Sequence, residues 1–130
     1  MARILLVDDD SLVLRGAQRV LQRAGHEVWD CTNPKTALHM LTYVTVDVVI
    51  TDVYMSGMSG VELARRIRAS DRCRHIIAMT GGGVMHTAAE LLAQARLAGA
   101  ERTLAKPFGP GELEAAVADV MARPASASVN

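Results

Sequence analysis

Four short segments end an apolar run on a residue that can do chemistry. Ile4-Leu5-Leu6-Val7 runs into Asp8-Asp9-Asp10, and the β-branched stretch Val46 to Val53 carries Thr51-Asp52 near its end. His75 to Met79 is followed by Thr80 and then Gly81-Gly82-Gly83, and Arg102 to Ala105 by Lys106-Pro107. Carboxylates brought to one sheet edge repel one another and raise their pKa values unless a cation sits among them. An all-oxygen site of that kind suits Mg²⁺, which keeps several waters and binds a few carboxylates plus phosphate oxygens. A lysine and a threonine hydroxyl opposite would donate to an anion, so metal, lysine and hydroxyl together make a phosphoryl clamp. One carboxylate could then act as nucleophile and become an acyl phosphate. Singly, each piece has a structural use: an Asp caps a turn, Asp10 caps a helix, and Lys-Pro makes a turn. Four such residues at four strand ends are a site.

The elements that position them alternate regularly. The continuous apolar run Ile4 to Val7 is that of a strand buried on both faces. Val13, Ala17, Val20, Leu21 and Ala24 follow at helical spacing, with Gly25 as the stop. His26 to Asp30 reads as a second strand. Asn33-Pro34 gives a cap and a proline at the first helical position, with Ala37, Leu38 and Leu41 facing inward. Ser59-Gly60-Val61-Glu62 matches a capping box, continued by Leu63, Ala64 and Ile67. Ala88 to Ala98 reads as a helix closed by Gly99, and Leu113 to Met121 as a last helix with Leu113, Val117, Val120 and Met121 on one side. Five strands alternating with five helices require a parallel α/β sheet covered on both faces. Ligands of such sheets bind outside the carboxyl ends of the strands, where the four segments end.

Composition excludes several classes. The 130 residues hold 50% hydrophobic side chains, enough for one core, and 14 basic residues balance 14 acidic ones. That neutrality argues against bulk binding to nucleic acid or an anionic membrane. With one Trp, one Phe and two Tyr, the chain lacks the aromatic platforms of a single-strand binder. No apolar run approaches the roughly 20 residues that span a bilayer. Cys31 and Cys73 form no C-x-x-C pair, and His26, His39, His75 and His86 have no metal spacing with them. Arg65, Arg66, Arg68, Arg72 and Arg74 cluster around the end of the third helix and read as a solvated face that complements the helix dipole.

Leu5-Leu6-Val7-Asp8-Asp9-Asp10, Val48-Val49-Ile50-Thr51-Asp52-Val53-Tyr54-Met55, Ala78-Met79-Thr80-Gly81 and Leu104-Ala105-Lys106-Pro107-Phe108 together resemble the receiver domain of two-component response regulators. The resemblance runs from Arg3 to about Met121. It implies a CheY-like, flavodoxin-like (βα)5 doubly wound sandwich with strand order 2-1-3-4-5, a receiver at 1–122 and a short tail at 123–130. It implies Asp52 as phospho-acceptor from a sensor histidine kinase or histidine phosphotransfer protein, with Thr80 and Lys106 binding the phosphoryl group. Mg²⁺ would be held by Asp8, Asp9, Asp52 and the backbone carbonyl of Tyr54, and Lys106-Pro107 would be a cis peptide. The chain would catalyse only its own phosphorylation and dephosphorylation, in the cytoplasm, and signal to a downstream protein without contacting nucleic acid or membrane. Taken as complete, its length predicts a stand-alone receiver that docks to another protein or relays phosphate.

Three residues depart from the family pattern. Thr103 stands where an aromatic switch residue is usual, and Ser56 where a proline is frequent. Signal output is therefore expected by hydrogen-bond rearrangement through the Gly81-Gly82-Gly83 loop, the 88–98 helix, the fifth strand and the last helix. Two other readings compete with the receiver. Val7-Asp8-Asp9-Asp10-Ser11-Leu12 approaches the D-x-D opening of haloacid-dehalogenase-type phosphatases, with Asp8 as nucleophile and Asp10 as acid, but Leu12 and the absence of a downstream Asp pair disfavour it. A degenerate receiver that only binds protein is disfavoured by the intact Asp52, Thr80 and Lys106. The third departure is Tyr54, whose ring stands where it would obstruct the water that hydrolyses the acyl phosphate. Slow autodephosphorylation is expected, and Tyr54→Ala should speed the decay of phosphorylated protein followed by a phosphate-release assay; an unchanged rate would refute the steric idea.

Overall fold

A buried parallel sheet forms the centre of the computed structural model, which describes residues 1–55, 57–81, 89, 90, 93, 96 and 99–124. The elements are β1 (Arg3–Val7), α1 (Ser11–Arg23), β2 (Glu27–Cys31), α2 (Pro34–Met40), β3 (Val46–Asp52), α3 (Gly60–Ser70), β4 (Cys73–Thr80), β5 (Arg102–Ala105) and a C-terminal helix (Pro110–Met121). The strand order is β2-β1-β3-β4-β5, as the resemblance implied, and every pairing is parallel. The helix expected over Ala88–Ala98 and the Gly82-Gly83 part of its approach lie largely outside the described residues, as do Ser56 and the end of the tail.

Strand side chains alternate between two cores, because successive residues of a strand point to opposite faces. Leu5, Val7, Val49 and Ile76 join Ala37 and Leu41 near α2 and Leu63 and Ile67 of α3 on one face. Ile4, Leu6, Val48, Ile50, Ile77 and Met79 meet Leu14 and Leu21 of α1 and Leu113 and Val117 of the C-terminal helix on the other. Fully burying each such side chain contributes about 1.5–3 kcal/mol before entropy is counted. The sheet is thus held from both sides and its carboxyl edge is a rigid platform.

Caps follow their local chemistry. Asp10 Oδ1 accepts the Leu12 N–H at 2.9 Å, Asn33 Oδ1 that of Lys35 at 2.8 Å with Pro34 opening α2, and Ser59 Oγ that of Glu62 at 3.1 Å. The Glu62 carboxylate turns to Arg65 and Arg66, at 3.3 and 3.0 Å. The inward face of α1 differs from its periodicity. Leu14, Ala17 and Leu21 are buried, Val13 and Val20 are half-buried, and Ala24 is exposed. The helix packs on the sheet and also beside the C-terminal helix, so its apolar residues divide between two neighbours.

Arg68 corrects the reading of the arginine cluster as a solvated face. Its guanidinium donates to the Gly99 carbonyl at 2.7 and 3.2 Å, to the Arg74 carbonyl at 3.1 Å and to Glu101 at 3.0 Å. Glu101 in turn meets buried His75 at 2.9 Å. Gly99, with φ of +109°, gives the arginine room, since a Cβ there would stand 2.8 Å from the Arg68 side chain. This knot ties the end of α3 to the start of β5, at the edge opposite the carboxylates.

At the same edge the Ala2 N–H donates to His26 Nδ1 at 2.9 Å, while the Glu27 N–H donates to the Ala2 carbonyl at 2.9 Å. An accepting Nδ1 requires a neutral ring. Burial, then the nearby amino-terminal charge, hold the His26 pKa below its ordinary value, with Glu114 opposing them. The unfolded chain therefore takes up its proton first as pH falls below about 6.5, and the contribution of His26 to stability is lost as pH drops through the folded-state pKa. Thermal melts at pH 7 and pH 5 should show a smaller drop in Tm for His26→Gln than for the wild type.

Candidate functional site

Parallel register brings the sequence-predicted residues to one edge. Val7 pairs with Thr51, Asp52 with Met79, and Thr80 with Ala105, so Asp8, Asp52, Thr80 and Lys106 lie at adjoining strand ends. Asp8 and Thr80 are 0% and 1% exposed, Asp52 is buried, and Asp9 is exposed. One carboxylate oxygen from each of Asp8, Asp9 and Asp52 lies within 4.8 Å of the others. This oxygen-only donor set fits a hard divalent cation.

Lys106 supplies the positive charge. Its ammonium donates to Asp8 Oδ2 at 2.6 Å and stands 3.5 Å from Asp52 Oδ1. Burial would lower the lysine pKa, but the Asp8 hydrogen bond and the charges of Asp52 and Asp8 outweigh it and raise it. Burial also pushes the Asp52 carboxyl above its ordinary range, aided by the Asp8 charge and opposed by Lys106 and by the Tyr54 N–H. The second Asp8 oxygen accepts the Asp10 N–H at 2.9 Å. Asp10 itself is spent on capping α1, which deprives the dehalogenase-type reading of its acid.

Thr80 ends β4 with its hydroxyl buried and without a hydrogen-bond partner among the described residues. Its carbonyl accepts the Lys106 N–H at 2.7 Å, which locks the threonine and lysine backbones together. The Lys106-Pro107 peptide is cis, as expected. Tyr54 follows β3 and is 55% exposed beside the carboxylates, and Gly81 next to Thr80 is exposed. Thr103 is half-buried in β5, opposite Ala78. No helix among the described residues is long and apolar enough to cross a membrane.

The chain matches the family model described as response regulator receiver domain over residues 4–118. It belongs to that family. Receiver domains of two-component systems accept a phosphoryl group on an aspartate and interact with histidine kinases and downstream targets. The chain is 33% identical over 111 residues to the regulatory protein AtoC of Escherichia coli, covering 85% of itself but only 23% of that protein. It is 29% identical to sporulation initiation phosphotransferase F of Bacillus subtilis, covering 88% of the chain and 90% of that relative. Among solved structures, the chemotaxis response regulator CheY4 of Vibrio cholerae aligns with TM-score 0.83 and 30% identity, covering 92% of this chain and 98% of that one. A receiver domain protein from Clostridium thermocellum aligns with TM-score 0.82 and 28% identity, over 95% and 96%.

Sequence reasoning missed what Gly60 does in this receiver. Gly60 opens α3 and donates its N–H to the Val53 carbonyl at 2.9 Å. A Cβ at Gly60 would overlap the Asp52 carbonyl oxygen and stand 2.7 Å from the Val53 Cα. Only the S-x-x-E pattern marks this segment in sequence, and it does not report so close an approach of backbone to backbone. Gly60→Ala should destabilise the domain by about 1–3 kcal/mol in urea unfolding, because the backbone at Asp52 and Val53 must move.

Proposed function

We propose that Asp52 is the phospho-acceptor of this receiver and that Asp8, Asp9 and Asp52, with the Tyr54 carbonyl, hold Mg²⁺. The observation that carries this reading is the buried Thr80 hydroxyl on the strand beside Asp52, which has no partner among the described residues. An unpartnered buried hydroxyl costs about 1–3 kcal/mol, and a phosphoryl oxygen on Asp52 would give it an acceptor. When bound, the metal neutralises phosphoryl oxygens as charge builds there.

The Asp52 carboxylate attacks the phosphorus of a phosphohistidine. A P–O bond forms, the P–N bond breaks, and its electron pair returns to the imidazole of the donor. Lys106 exchanges part of its bond to Asp8 for the arriving phosphoryl oxygens, and Thr80 donates its hydroxyl to another of them. The backbone bond between Thr80 and Lys106 transmits that change into β5. With Thr103 in place of an aromatic, hydrogen bonds report it, toward the C-terminal helix and the 88–98 segment. The donor is a sensor kinase or phosphotransfer protein in the cytoplasm, and the output is a downstream protein rather than nucleic acid or membrane.

Incubation with acetyl phosphate and Mg²⁺, followed by peptide mass mapping, tests the assignment. Label is expected on Asp52, lost in Asp52→Asn or on chelation of Mg²⁺, and slowed about tenfold or more in Thr80→Ala. Label on Asp8, or labelling retained in Asp52→Asn, would overturn it.

A further inference from the structure

Strand β3 buries one polar side chain that the reaction does not call on. Val48, Val49, Ile50 and the following Val53 are buried and apolar, Asp52 carries the reactive carboxylate, and Thr51 between them is 1% exposed. Alternation along the strand turns Thr51 to the same face as Val49 and Val53, the core shared with Leu63 and Ile67 of α3. Valine would fill that place without taking a hydroxyl out of water, which is unfavourable unless the hydroxyl is bonded.

Here it is bonded. Thr51 Oγ1 donates to the Asp52 carbonyl at 3.0 Å, away from solvent. The pairing of β1 with β3 ends at Val7 and Thr51, so that carbonyl lies past the last rung of this ladder. Gly60 packs so closely on the Asp52-Val53 peptide that a Cβ there would overlap the carbonyl oxygen and stand 2.8 Å from the carbonyl carbon. The Val53 N–H, at the other end of the same peptide, donates to the Met79 carbonyl at 3.0 Å, and the Val53 carbonyl accepts the Gly60 N–H at 2.9 Å. A buried carbonyl needs a donor. With α3 laid against this one, the hydroxyl of the preceding residue supplies it.

We infer that Thr51 is a positioning residue for phosphorylation, its hydroxyl holding the Asp52-Val53 peptide in the plane that presents the acceptor and the Tyr54 carbonyl together. The inference rests on the proposed roles of Asp52 and Tyr54. That peptide links the two: one end is the Asp52 Cα, which carries the carboxylate, and the other is the Cα of Val53, which leads directly into Tyr54. A tilt of the peptide displaces both oxygen ligands at once. Mg²⁺ demands near-octahedral geometry and tolerates little displacement, so the tilt weakens metal binding as well as misaligning the nucleophile. Thr51 touches neither the metal nor the phosphoryl group and acts only through this peptide.

Thr51→Val and Thr51→Ser separate the hydroxyl from the packing. Valine keeps the shape and suits a strand but loses the donor; serine keeps the donor and loses a packed methyl. Thr51→Val should take label from acetyl phosphate about three- to tenfold more slowly than the wild type, the effect of one lost hydrogen bond. Calorimetry should show it binding Mg²⁺ about threefold or more weakly. In the metal-free protein its Val53 amide should exchange with deuterium about tenfold or more faster relative to the Ile50 amide. Thr51→Ser should match the wild type in all three, whatever its midpoint in urea, whereas a merely structural role would make the labelling rate follow that midpoint. Wild-type labelling, Mg²⁺ affinity or Val53 exchange in Thr51→Val, or labelling as slow in Thr51→Ser as in Thr51→Val, overturns the positioning role. Failure of acetyl phosphate to label Asp52 in the wild type overturns instead the reading on which it rests.

Discussion

Two carboxylates on neighbouring strands, both withdrawn from water, repel each other more strongly than they would at the surface, and each has lost hydration worth several kcal/mol. Asp8 and Asp52 are in that position, and the Lys106 ammonium lies against both. The lysine is 98 residues from Asp8 in sequence, so the charge balance exists only when the whole sheet is assembled. Removing the cation from this edge would leave an uncompensated buried charge, a defect that costs about 3–5 kcal/mol. Reactivity and stability therefore share one device. The arrangement that makes the edge tolerable at rest also holds a cation beside Asp52, where the proposed phosphoryl group would arrive.

How much of this was legible in the sequence depends on the range of the interaction. The strands could be read because both faces are covered, which leaves unbroken apolar runs such as Val48-Val49-Ile50, and because β1, β3, β4 and β5 each end on a polar residue or run straight into one. The caps Asp10, Asn33 and Ser59 are local and were equally visible. The pairing of Lys106 with Asp8 was not, because the expectation placed the lysine opposite the carboxylates rather than in contact with one. Gly60 escaped notice because its role is the absence of a Cβ against backbone that lies elsewhere in the fold. The same holds for Arg68, Glu101 and His75, a knot of polar groups from three elements in which no single segment carries a signal. On α1 the periodicity named a helix correctly but mixed two faces, since Leu14, Ala17 and Leu21 are buried while Val13 and Val20 are only half-buried.

The switch is built with small parts. An aromatic ring at Thr103 would signal by moving a large apolar surface; on the proposed reading a threonine there, together with the Thr80 hydroxyl that has no partner among the described residues, leaves hydrogen bonds and charge to carry the change. Coupling of this kind in proteins is worth about 1–3 kcal/mol, comparable to the cost of one unsatisfied buried hydroxyl. A single donor finding its acceptor is enough to bias such an equilibrium.

Strand β5 has four residues and only β4 beside it, while β1, β3 and β4 are flanked on both sides. Asp8, Asp52 and Thr80 thus sit on or beside strands braced from both sides, and Lys106 leaves an edge strand, tied to its neighbour through the Thr80 carbonyl. In mechanical terms the site is an anvil with one compliant arm. On the proposed reading its nucleophile and its oxygen ligands would hold station while the margin of the sheet carries the change outward.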